Sequence, residues 1–134
     1  MEEMTVRTHA QTEMIDITAE VNSVIGRSGL QSGVCTVFVP HTTAGVTINE
    51  NADPAVMHDI LMEIGKVIPH SDGYTHMEGN SAAHIKSSLF GCSCTALIEQ
   101  GGLRLGTWQS VFFCEFDGPR TRQVWIQLTE SQTS

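Results

Sequence analysis

Between His76 and Ser88 the chain reads HMEGNSAAHIKSS, and these thirteen residues hold most of the side chains that could do chemistry together. They include two imidazoles, a carboxylate, a carboxamide, a lysine and several hydroxyls. Asn80 or Ser81 can cap a short helix whose apolar face is Ala82, Ala83, Ile85 and Leu89. Gly91 suits the position just past its end, where φ is commonly positive. His84 then sits one turn into the helix, and His76, Glu78 and Gly79 lie on the loop that enters it. Free backbone N–H groups at a helix start attract anions, and Lys86 adds positive charge nearby. The plainer alternative is a surface helix, well capped, after a polar turn.

Three further polar clusters fall where predicted strands end: His41-Thr42-Thr43, Asn49-Glu50-Asn51-x-Asp53 and Glu115-x-Asp117-x-x-Arg120. Loops on a rigid scaffold are a common seat for catalytic groups. If the clusters converge, they make a pocket of carboxylates and imidazoles with one lysine and one arginine. Each member also has a structural use. Asp53 is a helix N-cap, His41 can bond a strand-end carbonyl, and Asp117 and Arg120 can pair across a turn with little energetic consequence. Glu115 shares a strand face with Phe113 by period-two counting, so it is desolvated unless paired. Glu50, Asp53, His76 and Glu78 are candidate metal ligands, with His41 and His84 as further imidazoles. Imidazole ligands favour zinc, and carboxylates working with a phosphate favour magnesium. No HExxH pair, phosphate-binding P-loop, GxGxxG or GxSxG motif is present. Ser87 and Ser88 lie within helical reach of His84, which alone does not make a hydrolase triad.

At 134 residues the chain is one domain, 1–134, and too short for a (β/α)₈ barrel of roughly 250 residues. Charged residues are 16% of the total, below the usual quarter or so, which suggests that part of the surface is covered by another copy. A formal net charge of -8 argues against nonspecific binding to nucleic acid or to an anionic membrane. The start MEEMTV is no signal peptide, and no apolar run nears ~18 residues, so a cytoplasmic protein with reduced, buried cysteines is expected.

Pattern and punctuation predict strands at Met4–Ala10, Val34–Val39, Val46–Glu50, Thr95–Ile98, Thr107–Phe116 and Val124–Leu128. Helices are predicted from a Thr18 cap to Gly29, and from an Asp53 cap with Pro54 at the first position to Val67. The second helix should bury Val56, Ile60, Leu61, Ile64 and Val67. Gly101-Gly102 reads as a turn, and Thr129–Ser134 as a frayed end. The late run of strands joined by short turns makes the fold α+β, with a mixed or antiparallel sheet and flanking helices.

The blocks HTTAGVTINENADPAV, HMEGNSAAHIKSSLFG and LGTWQSVFFCEFDGPR resemble the three signature blocks of the YjbQ family, in order and in spacing. The resemblance runs from Glu13 to Gln127. It implies an α+β, sandwich-like fold assembled as a homotrimer. It also implies a weak, secondary thiamine-phosphate synthase activity, which joins a pyrimidine-methyl diphosphate to a thiazole phosphate and releases pyrophosphate. The family's polar motif residues fall on His41, Glu50, Asn51 and Asp53, then on His76, Glu78, Asn80, His84 and Lys86, and then on Gln109, Glu115, Asp117 and Arg120. Under the enzyme reading His41, His84, Glu115 and Asp117 are catalytic, the carboxylates also being magnesium candidates. Asn51, Asn80, Lys86, Gln109 and Arg120 hold phosphate or substrate. The competing reading is a trimeric metal- or anion-binding protein for another small phosphorylated or carboxylated ligand, with any synthase turnover incidental.

Overall fold

The computed structural model describes residues 1–132. In chain order its elements are β1 (Glu2–Arg7), β2 (Glu13–Asp16), α1 (Thr18–Ser28), β3 (Gly33–Phe38), β4 (Ala44–Glu50), α2 (Pro54–Val67) and α3 (Ser81–Phe90). β5 (Ser93–Glu99), β6 (Gly102–Arg104), β7 (Gln109–Glu115) and β8 (Thr121–Glu130) follow. The fold is α+β, and every strand pairing among the described residues is antiparallel, which removes the mixed-sheet alternative. One sheet has the order β1-β8-β3-β5-β6 and the other β2-β7-β4.

The two sheets share a core. Val37, Val124 and Ile126 of the larger sheet and Val46, Val111 and Phe113 of the smaller belong to one buried cluster with Val21, Val24 and Ile25 of α1. Alternate residues of β7 point the other way: Phe112 and Cys114, with Phe116 just beyond, join Ala83 of α3 and the half-buried Met57 and Leu61 of α2. The smaller sheet is therefore buried on both faces, which is why β7 reads as a nearly continuous apolar run rather than an alternating one. α3 lies against β4 through a close backbone approach. A Cβ on Gly45 would come within 2.7 Å of the Gly91 carbonyl oxygen. That spacing lets Val46 N–H donate to Gly91 O at 3.1 Å and Ser87 Oγ donate to Ala44 O at 2.6 Å.

Several expectations change. β2 falls in a stretch for which the pattern predicts no element, and β6 starts within the predicted Gly101-Gly102 turn; both are short edge strands with too few residues to show a period. Ile17, not Thr18, occupies the N-cap of α1, because Thr18 Oγ1 is used to accept from Val111 N–H at 2.8 Å, tying the helix to β7. Asp53 does cap α2, its Oδ1 accepting from Ala55 N–H at 2.9 Å. The predicted stripe of α2 is only half covered, and Val67 is exposed, because within one chain the helix has a single sheet beneath it and no layer above. α3 is rotated from its predicted pose. Ile85 and Leu89 face solvent, and the buried face is Ala82, Ala83, Lys86 and Ser87. Small residues are what the close approach to β4 admits. β8 runs on to Glu130, so the end predicted to fray from Thr129 is strand there, and Thr133 and Ser134 lie outside the described residues.

Candidate functional site

α3 has a concavity on each flank. On one side His41, Thr42, His84, Ser87, Ser88 and Cys92 line an open cleft of about 500 Å³. His84 also lines an adjoining hollow with Tyr74, Thr75, His76 and Ser81, where the His76 and His84 rings meet edge to face with centroids 5.2 Å apart. The entering loop is pinned by Tyr74, whose hydroxyl donates to Pro69 O at 2.7 Å. His41 Nε2 accepts from the Gln123 backbone N–H at 2.9 Å, so in the neutral ring the proton sits on Nδ1. Burial, followed by the charge of nearby Arg122, holds the His41 pKa below its ordinary value, which keeps the ring neutral and able to donate from Nδ1. Cys35 and Cys114 are buried and Cys94 is half-buried, and burial pushes the thiols of Cys35, Cys94 and Cys114 up to about 11, 11 and 12. Cys92 is exposed, contrary to the expectation that all four thiols are buried.

On the other flank, Asn80, Ala82, Ala83, Lys86, Phe116 and Asp117 enclose a small cavity of about 50 Å³ whose rim includes Gln11 and His70. Lys86 is 7% exposed, yet among the described residues it makes no hydrogen bond and no ion pair. Burial holds its pKa below the ordinary lysine value. Asn80 occupies the N-cap of α3 but does not cap it with its side chain; its Nδ2 donates to Asp117 Oδ2 at 2.9 Å. Asp117 also takes Arg120 Nη2 at 2.6 Å, the pairing across the turn that spacing allowed.

Glu115 is 0% exposed and its partner is Arg122, a residue that sequence reasoning passed over. Arg122 Nε donates to Glu115 Oε1 at 2.9 Å, and Arg122 Nη2 reaches both Glu115 Oε2 and Thr43 Oγ1. Thr8 Oγ1 donates to Glu115 Oε1 at 2.8 Å and the Asp117 N–H to Oε2 at 3.0 Å. Both carboxylate oxygens are thus engaged by protein groups. Burial by itself would raise the Glu115 pKa; the bonds from Arg122, the Asp117 N–H and Thr8, with the Arg122 charge, outweigh it and hold the carboxyl below its usual value. The signal for Arg122 was present in the sequence. It lies at period two with Val124 and Ile126, so a charge stands on the face of β8 that turns inward and needs a partner there.

The predicted residues therefore divide. His41, His76, Asn80, His84, Lys86 and Asp117 gather around α3, with Glu78 Oε2 4.0 Å from His76 Nε2 and Arg120 behind Asp117. Glu50, Asn51, Asp53 and Gln109 do not join them within the chain. Antiparallel pairing sets Ala44 opposite Glu115 but Glu50 opposite Gln109, so the two ends of this ladder lie about 20 Å apart. Asn51 Nδ2 instead donates to Asp16 Oδ2 at 2.6 Å, and Gln109 Oε1 accepts from Gly106 N–H at 2.8 Å. The four candidate metal ligands Glu50, Asp53, His76 and Glu78 are split the same way. Among the described residues no three His, Cys, Asp or Glu side chains are grouped so as to hold a metal ion.

The family described as UPF0047 protein YjbQ-like matches residues 2–131. The chain belongs to the YjbQ family. It is 51% identical to a UPF0047 protein of Methanocaldococcus jannaschii over 123 residues, 92% of this chain and 89% of that one. It is also 51% identical to YugU of Bacillus subtilis over 124 residues, 92% of this chain and 94% of the other. A crystal structure of a YjbQ/UPF0047 protein from Clostridium acetobutylicum superposes with a TM-score of 0.94 at 50% identity, covering 96% of this chain and 100% of that one. A YjbQ-like protein of unknown function from Sulfolobus solfataricus gives 0.92 at 32% identity, covering 97% and 96%. Among the described residues of this YjbQ protein, no helix is long and apolar enough to cross a membrane.

Proposed function

We propose that this YjbQ protein binds a small phosphorylated or carboxylated anion beside α3, with Lys86 as the charge that receives it. The supporting observation is a lysine 7% exposed with no counter-ion, set at the wall of a small cavity that Ala82, Ala83 and Phe116 share with Asn80 and Asp117. The lysine stem is buried while its ammonium has no protein partner, and a ligand anion supplies the missing pair. The reading includes a cytoplasmic homotrimer, since a second copy would cover the outward side of α2, where Met62 and Val67 are exposed. It needs no metal held by one chain alone. Isothermal titration with inorganic phosphate and with pyrophosphate tests it. The expected dissociation constant is about 1 mM or tighter, and Lys86→Met weakens it at least about tenfold, as the loss of a charged hydrogen bond should. Absence of heat with both anions would refute it.

The synthase reading is favoured by one specific observation, the pair of imidazoles on one cleft. His41, neutral and donating from Nδ1, and His84 opposite could assist departure of a diphosphate leaving group. Under this reading, thiamine phosphate forms from the pyrimidine-methyl diphosphate and the thiazole phosphate, and His84→Ala lowers the rate at least about tenfold with an unchanged thermal midpoint. Wild-type turnover in that variant would remove the imidazoles from the chemistry.

A further inference from the structure

Asn80 Oδ1 is the one buried side-chain oxygen or nitrogen without a hydrogen-bond partner among the described residues. Its identity as an acceptor is secure, because the amide's other end, Nδ2, donates to Asp117 Oδ2, and that carboxylate already takes the Arg120 guanidinium. Turning the amide over would set oxygen against oxygen. The orphan acceptor belongs to a residue that lines the same cavity as Lys86, an unpartnered donor. Lys86 does not satisfy it, since no bond joins the two. A cavity of about 50 Å³ holds three to five waters at roughly 10–15 Å³ each, which is the size of one tetrahedral oxyanion.

We infer that this cavity selects a phosphate group that still carries a proton. Lys86 takes an unprotonated oxygen, and Asn80 Oδ1 accepts a hydrogen bond from the P–OH. The inference rests on the anion reading above and adds the chemical class of the ligand. Sulfate has the same shape but no proton near neutrality. Lys86 and the donors of Gln11, Thr12 and His70 at the rim would attract it as they would phosphate, but it would press an unprotonated oxygen against Asn80 Oδ1 and the Asp117 carboxylate. Sites built around a hydrogen-bonding group discriminate strongly against an analogue that lacks the matching group, because the buried partner is left unpaired. Arg120 does not reverse this, because it is turned to Asp117 through both Nε and Nη2.

The test is titration of the full chain with sodium phosphate, sodium sulfate and glycerol 2-phosphate, at fixed ionic strength and about pH 6, where a phosphate ester keeps roughly half of its last proton. Inorganic phosphate should bind at least about tenfold more tightly than sulfate. Asn80→Ala should bring the ratio to within about twofold. The wild-type ratio decides the matter even if that variant does not fold. Glycerol 2-phosphate binding tighter than inorganic phosphate identifies an ester as the source, and weaker binding identifies the free ion; either supports the proposal. Equal affinity for phosphate and sulfate overturns the selectivity and leaves anion binding standing, whereas binding of none of the three overturns both.

Discussion

Arg122→Met lowers the free energy of unfolding by about 3–5 kcal/mol, the usual consequence of stranding one member of a buried ion pair. Glu115 sits on β7 of the smaller sheet and Arg122 on β8 of the larger, so the pair joins the two sheets across the core. Replacing both, as Glu115→Leu with Arg122→Met, should recover much of the loss, because the desolvation cost vanishes along with the attraction. The pH dependence separates this account from a simple packing defect. In the wild type the Glu115 carboxyl is held below its ordinary value of 4.5, so its contribution is fully present above that value and is lost as the pH falls through the folded pKa. His41 acts in the same sense, since a histidine depressed below 6.5 in the folded state takes its proton more readily when unfolded. In Arg122→Met, burial acts on Glu115 without its main opponent and raises the pKa, so folding now favours the protonated acid and acidification stabilises the variant. The stability gap between the two proteins should therefore narrow from neutral pH to about pH 4, by denaturant unfolding at each pH. A gap that stays constant would mean that no stranded carboxylate is involved.

What the sequence made legible was local or periodic. The Asp53-Pro54 start of α2, the Val21, Val24 and Ile25 face of α1 and the apolar runs of β3 and β7 each carry a signal within a few residues, and each is present. The rotation of α3 was not legible, because Ile85 and Leu89 look more apolar than Ala82, Ala83 and Ser87. The choice between the two faces is made by the clearance over Gly45, a contact some forty residues away in the chain. That rotation is also what carries Lys86 inward. The grouping of His41 and His84 on one cleft was anticipated from residue type. That Glu50, Asn51, Asp53 and Gln109 stand apart from that cleft within one chain was not, because it depends on the β4–β7 register, which no single strand encodes. Arg122 was passed over for a related reason. Its role is set by a partner on the other sheet, although its place between inward-facing apolar residues of β8 was a warning.

The same reasoning makes Lys86→Met stabilising in the absence of ligand. The Lys86 ammonium is partly desolvated and has no protein partner, and methionine fills a similar length of core without that cost. The thermal midpoint should rise by a few degrees, at roughly 4 °C per kcal/mol for a domain of this size. The buried face on which Lys86 lies is otherwise Ala82, Ala83 and Ser87, so an apolar chain has Ala82, Ala83 and Phe116 as neighbours along the cavity wall. Added phosphate should shift the balance back. It stabilises the wild type by RT ln(1 + [L]/Kd) and leaves the variant unmoved, so the two melting curves approach one another as phosphate is raised. A group that lowers stability when alone and raises it when a ligand is present behaves as a binding residue, with folding stability given up for a site. If Lys86→Met instead melts well below the wild type in ligand-free buffer, the ammonium already has a partner in the native protein. A neighbouring copy's carboxylate is then the first group to seek, and the anion assignment falls with it.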